Sequence, residues 1–95
     1  MVLVENIEDT AQEDCACGTW LQHWENYSPD ELPKKCVAKG CNNNVEVGAH
    51  VQKVLGNDNT AYIVPFCQSC NMTDEYFYVP DEALIVAKQG ECHIE

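Results

Sequence analysis

Four cysteines fall in two close pairs, Cys36-Val37-Ala38-Lys39-Gly40-Cys41 and Cys67-Gln68-Ser69-Cys70. The spacings are C-x4-C and C-x2-C, with 25 residues between the pairs. A pair this close can chelate one ion from a tight turn. Gly40 helps such a turn because glycine accepts positive φ at little cost. Two pairs converging on one Zn²⁺ make a closed tetrahedron of thiolates, with Zn–S bonds of about 2.3 Å. The predicted metal ligands are therefore Cys36, Cys41, Cys67 and Cys70, against the plainer alternative of free or buried thiols.

Three cysteines remain. Cys15-Ala16-Cys17 would project both thiols to one side of an extended segment, and Cys92-His93 lies near the C-terminus. A candidate second metal site is Cys15, Cys17 and Cys92 with His93 or His23. The competing reading is three reduced thiols.

Disulfides are the other use of seven cysteines. An odd count leaves one thiol over. Residues Met1 to Asp9 contain no basic region, no long apolar run and no small-residue cleavage site, so they do not resemble a secretory signal. Both points lead us to expect a reducing, cytoplasmic setting. No stretch approaches the roughly 18 apolar residues of a membrane span.

The net charge is −11, from 16 acids and 5 lysines without arginine. Phosphate contacts come from Lys and Arg, so this balance opposes direct nucleic-acid binding and binding to an anionic membrane. It suits solubility, a basic protein partner, or mimicry of a nucleic acid's charge.

These side chains need elements to position them. Val45, Val47, Ala49 and Val51 alternate with Glu46, Gly48, His50 and Gln52, a period-two strand with one apolar face. Gly56-Asn57-Asp58-Asn59 is a turn cluster, and Ala61–Val64 a second strand. The two should pair as an antiparallel hairpin that delivers the chain to Cys67. Trp20, Leu21, Trp24 and Tyr27 recur at helical spacing, with Thr19 as a cap and Pro29 as a stop. The two tryptophans are expected in the core, covering the sheet; an exposed pair would instead anchor a partner. Val2–Val4 reads as an edge strand. Tyr76–Val79 and Leu84–Ala87 read as strands flanking a turn at Pro80-Asp81.

Cys36…Cys41…Gly48-Ala49-His50-Val51…Ile63-Val64-Pro65-Phe66-Cys67-Gln68-Ser69-Cys70-Asn71 resembles the HNH endonuclease, or treble-clef ββα, module across 36 of the 95 residues. The resemblance implies a zinc held by the two cysteine pairs. It implies His50 as general base at the end of a strand, Asn57 or Asn59 as a supporting loop residue, and Asn71 beside a catalytic Mg²⁺. His50 has the opposite parity from the valine stripe, so it is not an obvious core residue. Ala49 stands where the family often has an acid, and no Lys or Arg occurs between Lys53 and Lys88. These departures point to shared architecture with lost or altered activity. His50 then serves as a hydrogen-bonded hairpin residue or an alternate zinc ligand, and Asn71 steadies the zinc turn.

The expected fold is α+β: a small zinc-stabilised, treble-clef-like domain of antiparallel hairpins and one N-terminal helix. Residues 1–14 form an acidic, partly mobile arm, residues 15–95 one zinc-binding domain, and residues 36–71 its HNH-like core. The expected function is non-catalytic protein interaction. The alternatives are an HNH-type nuclease acting in a complex and an acidic nucleic-acid mimic. The mimic requires Glu5, Asp9, Glu13, Asp14, Glu25, Asp30 and Glu31 to cluster on one face.

Overall fold

The computed structural model describes residues 1–7 and 19–87. The alternating segment forms β2 (Val47–Lys53), and the segment after the turn cluster forms β3 (Tyr62–Phe66). They pair antiparallel with Ala49 opposite Val64 and His50 opposite Ile63, the predicted hairpin. Asp58 closes the turn: its carboxylate accepts from the Thr60 N–H at 2.9 Å and the Tyr62 hydroxyl at 2.6 Å. Lys53 Nζ lies 3.3 Å from the same carboxylate. Val45 falls outside β2; its N–H bonds Lys34 O beside a bridge between Lys35 and Asn44.

β1 (Val2–Asn6) is not the edge strand expected from sequence. The sheet order is β4-β1-β2-β3-β5, so β1 is flanked by β2 on one side and β4 (Tyr76–Val79) on the other. Val4 pairs with Lys53 and with Phe77 and is fully buried. A central place removes Val4 from water and satisfies both backbone edges of β1, a gain that a free edge would forfeit. β5 is short, Ile85–Val86, and pairs with β3 after a 3₁₀ turn at Asp81–Ala83.

Helix α1 (Trp20–Tyr27) begins as predicted, with Thr19 Oγ1 accepting from the Gln22 N–H at 3.1 Å. It lies across one face of the sheet and buries Trp20, His23 and Trp24. The Trp24 indole N–H donates to Ala83 O at 2.8 Å, and His23 Nε2 donates to Val86 O at 2.9 Å. Both tryptophans are thus core residues. Gly48 permits the close docking: a Cβ there would fall 2.6 Å from the Leu21 nitrogen and from the Trp20 carbonyl carbon.

Two apolar cores thus flank the sheet, one on each face, while β4 stays open on the face that α1 covers elsewhere. Val4, Ala49, Val51, Val64, Phe66 and Val79 form one core together with Cys36 and Cys67. Trp20, Trp24, Ile63 and Ile85 form the other, under α1. A second, one-turn helix, α2 (Gln68–Asn71), follows Cys67 and was not anticipated. Among the described residues no helix is long and apolar enough to cross a membrane.

Candidate metal centre

Each cysteine pair is set by backbone bonds that local sequence dictates. In the first turn the Cys41 N–H bonds Ala38 O at 3.0 Å, and Gly40 adopts φ +85°, as its place in the turn requires. The Cys36 N–H bonds Asn43 O at 2.8 Å and the Val37 N–H bonds Pro65 O at 3.1 Å, which fastens the turn beside β3. In the second pair, Cys67 is the cap of α2: its sulfur accepts from the Cys70 N–H at 3.4 Å. Glu46 Oε1 accepts from the Gln68 N–H at 2.8 Å.

These constraints bring the four thiols of Cys36, Cys41, Cys67 and Cys70 together, all Sγ atoms lying within 4.8 Å of one another. Cys41 Sγ is 3.8 Å from Cys67 Sγ and 3.9 Å from Cys70 Sγ. A tetrahedron with metal–sulfur bonds of about 2.3 Å has sulfur–sulfur edges of about 3.8 Å. A disulfide would instead need about 2 Å. The four cysteines are free and can hold a metal ion. Cys36 and Cys67 are buried, Cys41 and Cys70 half-buried.

Without a cation two of the four thiols resist ionisation. Burial pushes the Cys36 and Cys70 thiols up, and at Cys70 the neighbouring Cys67 and Cys36 sulfurs push further. Burial opposes the Cys67 thiolate too, yet the Cys70 N–H, the Asn43 amide and the Cys70 and Cys41 thiols together outweigh it and lower its pKa to about 7. Asn43 Nδ2 donates to that sulfur at 3.6 Å. The Cys67 sulfur is thus the readiest of these three to ionise, and a divalent ion would be needed to hold Cys36 and Cys70 as thiolates.

Asn6 braces the site from β1. Its Nδ2 donates to Cys70 O at 3.0 Å and Thr73 O at 2.8 Å. Neither Asn6 nor Asn43 stood out in the sequence. Both are single amides, and only the tertiary approach of β1 and of the 41–44 loop gives them a role.

His50 sits in mid-strand on β2, not at its end. It is 3% exposed, beneath Trp20, whose ring meets the imidazole edge-on with centroids 4.5 Å apart. The expectation that parity would keep it from the core fails, because α1 covers the face it points to. Its Nε2 has no hydrogen-bond partner among the described residues. Burial, then the charge of His23, lower its pKa to about 4. The metal cluster packs with the opposite core, that of Ala49 and Val51. Asn57 and Asn59 are exposed in the hairpin turn. Asn71 ends α2, where its main-chain N–H bonds Cys67 O at 3.1 Å, as any residue at this position of the turn would.

The proposed second-site residues Cys15, Cys17, Cys92 and His93 lie outside the described residues, as do Asp9, Glu13 and Asp14 of the mimic surface. Glu25, Asp30 and Glu31 share one surface hollow after α1, while the Glu5 carboxylate is held by Gln52 Nε2 at 3.1 Å.

Comparison with known proteins finds no matching family model, no matching curated protein and no matching solved structure.

Proposed function

We propose that the chain is a small zinc-binding domain, non-catalytic, which acts by binding another protein. The sulfur geometry carries this reading: four thiolates at tetrahedral spacing leave no open coordination position for water or substrate, as structural zinc sites do and catalytic ones do not. Zinc so bound supplies a cross-link between two turns 25 residues apart. In small modules such a site contributes about 10–16 kcal/mol of apparent binding energy.

The resemblance to the HNH, treble-clef module fits this arrangement of cysteine pairs around a hairpin. Nuclease activity is disfavoured by His50. A general base must reach a water within hydrogen-bond distance, and this imidazole is covered by Trp20. The net charge of −11 would repel a phosphate backbone and favours a basic partner.

Native mass spectrometry with and without a chelator tests the first half of the reading. One zinc lost on chelation, with broadening to unfolded charge states, is expected; iron, or no metal, would overturn it. A plasmid-nicking assay with Mg²⁺ and Mn²⁺ tests the second half. Cleavage by the wild type that His50→Leu abolishes would replace this reading with a nuclease.

A further inference from the structure

We propose that the outer edge of β4 is a docking site for an extended cationic segment of a partner protein. This inference rests on the protein-binding reading above and names its surface.

β4 lies at the end of the sheet, with β1 on its inner side. Leu3 O is taken by the Val54 N–H, toward β2, and Tyr78 O by the Lys39 N–H, away from β1. In an antiparallel pair, residues alternate between those bonded to the partner strand and those pointing away. Leu3–Tyr78 and Glu5–Tyr76 are therefore the non-bonded pairs. The N–H and C=O of Tyr76 and the N–H of Tyr78 point outward and meet no partner among the described residues. The Lys39 N–H already occupies the Tyr78 carbonyl, so the Tyr76 end of this edge is the part open as a template for one more strand.

The side chains agree. Tyr76 and Tyr78 project from the same side of β4 and are 58% and 50% exposed; Met72, just before the strand, is 73% exposed. Helix α1 covers β2 and β3 and leaves these rings open. Tyrosine faces attract Lys and Arg.

Charge selects the occupant. At the Tyr76 end stand Glu5, Asp74 and Glu75, and an open groove of about 460 Å³ continues there between residues 5–7 and 71–74. At the Val79 end Lys39 and the amino group of Met1, the latter 3.6 Å from Asp81, are offset by Asp81 and Glu82, so that this end is close to neutral while the Tyr76 end is acidic. An incoming strand with its basic residues toward Tyr76 complements this gradient. A second copy, itself at −11, does not.

The test uses the metal-loaded full chain, ¹⁵N-labelled, titrated with an eight-residue peptide alternating Lys and Val. Controls are the same peptide N-methylated at alternate amides and a peptide with Glu for Lys. We expect amide shifts along β4 and slowed hydrogen exchange at Tyr76 and Tyr78, whose N–H groups face outward, and not at Phe77 and Val79, which already face β1. Binding should weaken at least tenfold with N-methylation or in Tyr76→Ser/Tyr78→Ser, and vanish with the Glu peptide. Equal binding of the N-methylated peptide, shifts centred on Glu25, Asp30 and Glu31, concentration-dependent self-association through β4, or no shifts at all would each overturn the proposal. None of these outcomes touches the zinc count or the nicking assay, which test the underlying reading separately.

Discussion

The Trp20 ring stands edge-on over His50 at an interplanar angle of 79°, which seals a histidine into the interface between helix and sheet. The consequence is a pH dependence of known sign. The folded pKa is lowered from 6.5 to about 4 by burial and by His23. Between these values the unfolded chain binds the proton and the folded chain does not. This contribution is therefore fully present above pH 6.5 and is lost as pH falls toward 4. A shift of that size corresponds to about 3 kcal/mol. Denaturant melts from pH 7.5 to 4.5 should show wild-type stability falling relative to His50→Leu. Parallel curves would mean that His50 is already charged or open to solvent.

Helix docking depends on the missing side chain at Gly48. An alanine Cβ there would meet helix backbone, which cannot swing aside as a flexible side chain can. We expect Gly48→Ala to cost about 3 kcal/mol or to lift α1, with a red shift of tryptophan fluorescence as Trp20 and Trp24 gain water. Gly40→Ala has open space but φ +85°, so it should cost only about 1–2 kcal/mol and leave the fluorescence unchanged.

Metal removal should act on the whole domain. The stability of a small domain is about 5–15 kcal/mol, comparable to what a structural zinc contributes. Chelation at pH 7.5 is expected to unfold the chain or lower its Tm by tens of degrees, reversibly on adding Zn²⁺ under reducing conditions. Cys67→Ser should do the same, since Cys67 is buried and its sulfur receives two N–H donors. Circular dichroism with metal titration reads both. An unchanged melt after chelation would mean that the apolar cores suffice alone.

The parts legible in the sequence were those governed by local rules. Ligand spacing identified the four cysteines, and the Gly56–Asn59 cluster between two alternating runs identified the hairpin. Thr19 and Pro29 bounded the helix. Two matters escaped because they depend on pairing across most of the chain. Val2–Val4 reads the same at an edge or in the centre, and only pairing with Tyr76–Val79 decides it. Likewise Gly48, His50 and Gln52 read as a solvated face. Two of them instead lie under α1: glycine admits the helix closely, and imidazole can be buried when neutral.

The amide of Asn43 offers the most specific probe of the metal centre. Its N–H donates to the Cys67 sulfur, which helps keep that thiol the most acidic of the three whose pKa is shifted. Groups that hydrogen-bond a ligand atom typically change metal affinity by about 10–100-fold when removed. Asn43→Ala should therefore weaken Zn²⁺ binding by roughly that factor in competition with a chromophoric chelator. The loss should grow as pH falls from 8 to 6.5, because the Cys67 thiol then holds its proton more firmly. The apo chain should be little affected. Asn43→Asp separates the bond from simple packing. It keeps the shape but turns the donor into an acceptor facing a thiolate, so it should bind metal more weakly than Asn43→Ala. Equal affinities for wild type, Asn43→Ala and Asn43→Asp would show that this contact does not support the thiolate.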